Sequence, residues 1–175
     1  MSQLATLDFL TPELTTGFLT DRSVELVVEQ SRFLQFALGE YEFLFPLGKL
    51  QEIFSLNLTQ VTLVPGLDSN VMGIYNWRGN LAWLIDFQEL LLGKQSNLRE
   101  NCLCLLTPLQ GQYLGMAIDR VDGIRSFFID DLQAVTAEMI KPIAMDFIQG
   151  YFLDEQNRPL LLLDPQGIIN SFIHL

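Results

Sequence analysis

Arg78 stands between Trp77 and Gly79 in the stretch GIYNWRGNLAWLIDF, Gly73 to Phe87. Arginine and tryptophan are enriched among the residues that dominate protein–protein binding, and a planar guanidinium can pair with a carboxylate through two donors at once. The flanks Val71–Trp77 and Leu81–Phe87 are short and rich in aromatic and aliphatic residues, and Asn76, Gly79 and Asn80 are turn-formers. The pattern predicts a β-hairpin whose tip presents Trp77 and Arg78 to a partner, with Gly73 opening the first strand. Glu52, flanked by Leu50 and Ile53 in GKLQEIFSL, is expected on a helix at the rim of the same half of the molecule.

Groups that could run a reaction are scarce. The only histidine, His174, is the penultimate residue, a poor position for a base or a metal ligand. Cys102 and Cys104 are the only cysteines, and their C-x-C spacing puts both on one face of a strand, where they read as small buried apolar residues. The carboxylate pairs Asp130-Asp131 and Asp154-Glu155 are adjacent in sequence within polar stretches, which suits solvated turns better than an acid/base dyad. No Gly-rich phosphate loop, nucleophile elbow or H-E-x-x-H helix is present. The expectation is a protein that is not an enzyme and takes no cofactor or metal. An unrecognised active site would have to draw on Asp86 or Asp119.

Composition agrees with action through surfaces. With 175 residues, 49% of them hydrophobic, the chain can bury a core of ordinary domain size. Its net charge of −11 is spread along its length without a basic cluster, which disfavours nucleic-acid binding, where cations must neutralise phosphate. The N-terminus lacks a secretory pattern and apolar runs such as RPLLLLD fall far short of a bilayer span. The expectation is a cytoplasmic protein without direct membrane insertion.

The elements that must position Arg78 follow from the spacing of apolar runs. Residues 1–30 carry five acids against one arginine, with candidate helix starts at Thr11 and at Asp21 or Ser23, and read as a peripheral arm. Residues 31–175 form the domain proper. There RFLQFAL, YEFLFPL, VTLVP, VMGIYNW, NLAWLIDF, NCLCLLT, QYLGMAIDRVDGI, FIQGYFL and RPLLLLD recur at short intervals between turn residues, which predicts a mainly β fold of antiparallel sheets. Three short helices interrupt them: GKLQEIFSL, DFQELLL capped by Asp86, and DPQGIINSF capped by Asp164 with Pro165 at its first position. Trp83 is expected on the inner face of its barrel. An internal echo matches Gly39 and Tyr41 with Gly111 and Tyr113, and the stretches opening at Gly73 and Gly150 share the form glycine, strand, polar turn, strand, Asp, helix, with Asp86 and Gln88 matching Asp164 and Gln166. One hairpin–helix unit used twice, giving two small barrels side by side, accounts for it.

At these residues the sequence resembles the CheW-like coupling domain of bacterial chemosensory systems. The likeness runs from about Arg32 to Phe172. It rests on Gly39 with its hairpin, Leu50-Gln51-Glu52-Ile53, Val64-Pro65, and the block Val71-x-Gly73-Ile74-x-Asn76-x-Arg78-Gly79 followed by Leu84-Ile85-Asp86. Trp83 stands where the family usually has proline. The resemblance implies two intertwined five-stranded SH3-like barrels, no catalysis, and a scaffold joining a CheA-type histidine kinase to the cytoplasmic tip of methyl-accepting receptors, in arrays at the membrane. It places Arg78 and Glu52, and with them Asn76 and Gly73, on interaction surfaces. An adaptor of the same fold serving another signalling complex is the alternative.

Overall fold

The computed structural model describes residues 29–140 and 142–172, so the candidate helix starts of the N-terminal arm and His174 lie outside the described residues. Ten strands and two short helices follow in order: β1 Ser31–Leu38, β2 Tyr41–Pro46, β3 Glu52–Asn57, β4 Val71–Trp77, β5 Asn80–Asp86, α1 Phe87–Leu92, β6 Asn101–Leu109, β7 Gln112–Ile118, β8 Arg120–Phe127, β9 Ile148–Leu153, β10 Pro159–Leu163 and α2 Pro165–Ser171. They form two five-stranded sheets, ordered β8-β1-β2-β10-β9 and β3-β6-β7-β5-β4. Each is an SH3-like barrel, and the protein is mainly β.

The repeat is reciprocal. Taking β1–β5 with α1 as one unit and β6–β10 with α2 as the other, each sheet combines the opening hairpin of one unit with the closing three strands of the other. Each sheet has two seams between the units, one parallel (β2 beside β10, β5 beside β7) and one antiparallel (β1 beside β8, β3 beside β6), and all pairings within a unit are antiparallel. Parallel neighbours cannot be joined by a tight turn and need a long crossover, which the rest of each unit supplies. The expectation of antiparallel sheets throughout therefore fails at two places, because alternation along a strand encodes its faces and not its neighbour.

Register also corrects the internal echo. The first hairpin pairs Leu38 with Tyr41 and the second pairs Leu109 with Gln112, so Leu38 corresponds to Leu109 and Tyr41 to Gln112. The match of Tyr41 to Tyr113 is one residue out. In a strand a one-residue slip reverses the face: Tyr41 packs against the core shared by the two barrels, Tyr113 inside the second barrel with Trp77. The match of Gly73 to Gly150 holds, since each lies beside a lone bridge to a preceding loop, Thr62 to Ile74 and Gln133 to Tyr151.

Period-2 alternation divides the core into three parts. Leu34, Phe36, Leu38, Phe43 and Phe45 from the first sheet meet Ile85, Leu105, Leu114 and Met116 from the second, joined by Phe87 and Leu91 of α1 and Ile168 of α2. Phe33, Leu44, Phe152, Leu160 and Leu162 fill the first barrel. Leu56, Leu84, Cys102, Cys104 and Ala117 fill the second, continued by Trp77, Ala82 and Leu106. Both helix caps form as expected: the Asp86 carboxylate accepts from the Glu89 amide at 3.1 Å and Asp164 from the Gln166 amide at 3.0 Å.

Two segments differ from expectation. GKLQEIFSL is a single 3₁₀ turn at Leu47–Lys49 and then strand β3, not a helix. Leu50, Ile53 and Phe54 satisfy a helical spacing over barely one turn, but Phe54 and Leu56 also alternate with exposed Ser55 and Asn57 as in a half-buried strand, and pairing with β6 decides between them. VTLVP is not a strand; only Thr62 bridges, and Leu63 is exposed.

Trp83 is half-buried and points away from the lumen that receives Ala82 and Leu84, toward the shared core, with its indole N–H donating to Gln112 Oε1 at 2.8 Å. Trp83→Ala should therefore cost about 2 kcal/mol in urea unfolding, below the roughly 3–5 kcal/mol of a fully buried tryptophan. Trp83→Phe should cost about 1 kcal/mol through the lost hydrogen bond.

Candidate protein-binding site

The register of β3 against β6 sets Glu52 opposite Leu106, at the mouth of the second barrel. Glu52 shares a strand face with Phe54 and Leu56, so its carboxylate is aimed at the barrel end where Trp77 packs. Trp77 closes β4. The residue is 7% exposed, and its ring lies 4.5 Å from the Tyr113 ring, tilted by 59°.

Arg78 and Gly79 form the two-residue hairpin loop, with φ +50° and +86°. Positive φ at both positions matches the twist of the flanking strands. The Asn76 side-chain oxygen accepts the Gly79 amide at 2.8 Å and locks the turn. Arginine in the left-handed region costs about 1–2 kcal/mol, so residue 78 is not the one the turn would select.

Trp77, Glu52 and Arg78 meet at this tip. Glu52 Oε1 accepts from Arg78 Nη2 at 2.8 Å and Glu52 Oε2 accepts from the Trp77 indole N–H at 3.1 Å. The Arg78 guanidinium carbon lies 5.1 Å from the Trp77 ring centroid. The side chain of Arg78 is 69% exposed and that of Glu52 28%. Beside the turn a shallow hollow of about 250 Å³ is lined by Thr62, Ile74, Tyr75, Asn76, Gly79 and Leu81.

The structure thus sorts the residues singled out from the sequence. Arg78 and Asn76 are exposed at the tip, and Glu52 reaches it from β3 instead of from a helix. Trp77 is turned into the barrel, so the expectation that the tip presents its ring to a partner is corrected: the strand's alternation sends residue 77 inward. Gly73 is buried as well, at a register shift in β4 where φ is +141° and a Cβ would be driven into the Thr62 carbonyl oxygen. Its requirement is close backbone approach. Leu81, which lines the hollow, is exposed, and so is Leu63, which follows Thr62 in a segment that reads as a strand.

The cysteines offer neither a nucleophile nor a ligand set. Burial pushes both thiols up, with Asp86 adding to the effect at Cys102. A thiol whose pKa is raised by folding favours the folded state at neutral pH and weakens it as pH climbs past the unfolded value of about 8.5. Both should resist a disulfide reagent at pH 8 in the native protein and react on denaturation; prompt native reaction would contradict this packing. Among the described residues no group of three or more His, Cys, Asp or Glu side chains could hold a metal ion, and no helix is long and apolar enough to cross a membrane.

A family model described as the CheW-like domain matches residues 32–172. The chain is 29% identical over 136 residues to Protein PilI of Pseudomonas aeruginosa, covering 76% of this chain and 72% of that protein. It is 26% identical over 147 residues to Chemotaxis protein CheW of Klebsiella aerogenes, covering 79% and 81%. The crystal structure of the scaffolding protein TtCheW from Thermoanaerobacter tengcongensis shares the fold with a TM-score of 0.67 at 16% identity, over 78% of this chain and 90% of that one.

Proposed function

The chain belongs to the CheW-like domain family, and from that premise we propose that it is a non-catalytic coupling protein. In this reading it links a CheA-type histidine kinase to the cytoplasmic tips of methyl-accepting receptors in a chemosensory pathway that controls motility. It acts in the cytoplasm and is recruited to receptor arrays through these partners. The observation that carries the reading is Arg78, whose backbone sits in a costly left-handed turn and whose exposed guanidinium is held by Glu52 rather than left to sweep through solvent. A residue that the turn disfavours and that fills no core has its use outside the fold.

The test is reconstitution of the ternary complex from the full chain, a CheA-type kinase and a receptor cytoplasmic fragment encoded in the same genome. Retention of both partners, with kinase activity placed under receptor control, supports the proposal. Failure to retain the kinase, with a different regulator retained instead, assigns the fold to another signalling complex.

A further inference from the structure

We propose that Trp77 is the positioning residue of this site: it fixes the Glu52 carboxylate through its indole N–H and the Arg78 guanidinium through its ring face, so that a buried side chain sets the direction of an exposed one. The inference rests on the reading of the Arg78 tip as a binding surface. The indole has a single polar atom, a donor, and it is spent on Glu52 Oε2. That leaves Glu52 Oε1 for Arg78 Nη2, one donor to each oxygen. The guanidinium carbon at 5.1 Å from the ring centroid is within cation–π range of the same residue.

An exposed Arg–Glu pair by itself is a poor anchor, since both side chains lose rotamer freedom for a small Coulombic return in water. Here the carboxylate is held from beneath by a residue that cannot move, because Trp77 is wedged among Ala82, Leu106 and Tyr113. The guanidinium is thereby oriented before any partner arrives, with its charge offset by Glu52. What the tip offers a partner is a set of directed N–H donors at low net charge.

The alternative is that Trp77 only fills the barrel and satisfies its N–H at the nearest oxygen. NMR of the full chain, labelled with ¹⁵N, separates the two. The protein has two tryptophans, hence two indole N–H signals. Glu52→Leu should shift the Trp77 indole signal and speed its hydrogen exchange while leaving that of Trp83 in place. Trp77→Phe keeps a ring but removes the donor, and should collapse the separate Arg78 Nη signals into one averaged line and lower the Arg78 Nε order parameter. Unchanged Arg78 signals in Trp77→Phe, or an unmoved Trp77 indole signal in Glu52→Leu, would overturn the positioning role. If Trp77→Phe does not fold, the parent protein decides: separate Arg78 Nη signals with Arg78 side-chain protons shifted by the Trp77 ring support the positioning role, and a single averaged Nη line without ring shifts overturns it. These readouts need no partner, so an Arg78→Ala variant that binds normally would overturn the proposed function and leave them standing.

Discussion

Gly73→Ala is expected to be among the most destabilising single substitutions in the protein, by about 3–5 kcal/mol. Two costs add. An L-residue held in the left-handed half of φ space loses about 1–3 kcal/mol, and Gly73 sits at φ +141°. A Cβ there would also be driven into the Thr62 carbonyl oxygen and against Val61, and forced overpacking of this kind costs roughly a further 1–3 kcal/mol. Neither cost can be relieved cheaply, because Thr62 and Ile74 exchange two backbone hydrogen bonds across this approach, at 2.8 and 2.9 Å. For a domain of this size the melting temperature should fall by roughly 10 °C. Gly79→Ala separates the two costs, since φ is +86° but nothing lies within reach of the added methyl group; a loss of about 1–2 kcal/mol is expected. A Gly73→Ala protein that melts within about 2 °C of the parent would mean that the loop carrying Thr62 moves freely from β4.

The same close approach recurs at Gly150, where a Cβ would meet the Gln133 carbonyl oxygen and Leu132. What could be read of this fold from its residues, and what could not, divides along this kind of feature. Alternation and turn residues locate eight of the ten strands, with β3 read as a helix and β8 run together with β7, and Asp86, Asp164 and Pro165 mark the two helix starts, because these signals are local and each has a physical cause within a few residues. The recurrence of a glycine before an apolar run was visible too. Its meaning was not, since the carbonyl that excludes a Cβ comes from a loop eleven residues earlier in one half and seventeen in the other. The exchange of strands between the two units leaves no trace in periodicity either.

The site was partly legible in the same way. Residue types drew attention to Trp77, Arg78 and Glu52, and the turn chemistry of Asn76 and Gly79 put Arg78 at a tip. The joining of Glu52 to that tip depends on β3 being a strand in one particular register with β6, which the helical spacing of Leu50, Ile53 and Phe54 concealed. Once β3 is a strand, alternation alone turns Glu52 toward the barrel mouth and Trp77 into the lumen.

Arg78→Ala is expected to weaken assembly of the ternary complex by about 1–3 kcal/mol, a loss of roughly five- to 150-fold in affinity, while changing stability little. The stability side follows from effects that are each small. Removing an exposed ion pair costs under about 1 kcal/mol, and no apolar area of consequence is uncovered because the side chain is 69% exposed. Arg78→Asn sharpens the comparison, since asparagine tolerates the left-handed conformation that residue 78 adopts, and this variant should melt at or slightly above the parent temperature while binding as poorly as Arg78→Ala. Arg78→Lys should restore only part of the affinity, because an ammonium keeps the charge but not the planar fork that spans Glu52 and a partner acceptor together. Raising salt should weaken the complex less than it would for an unpaired arginine, because Glu52 already offsets the charge at 2.8 Å. The contrary result is a large fall in melting temperature with binding per folded molecule intact, which would make Arg78 a brace that closes the mouth of the second barrel and would leave the partner surface to be sought elsewhere on the molecule.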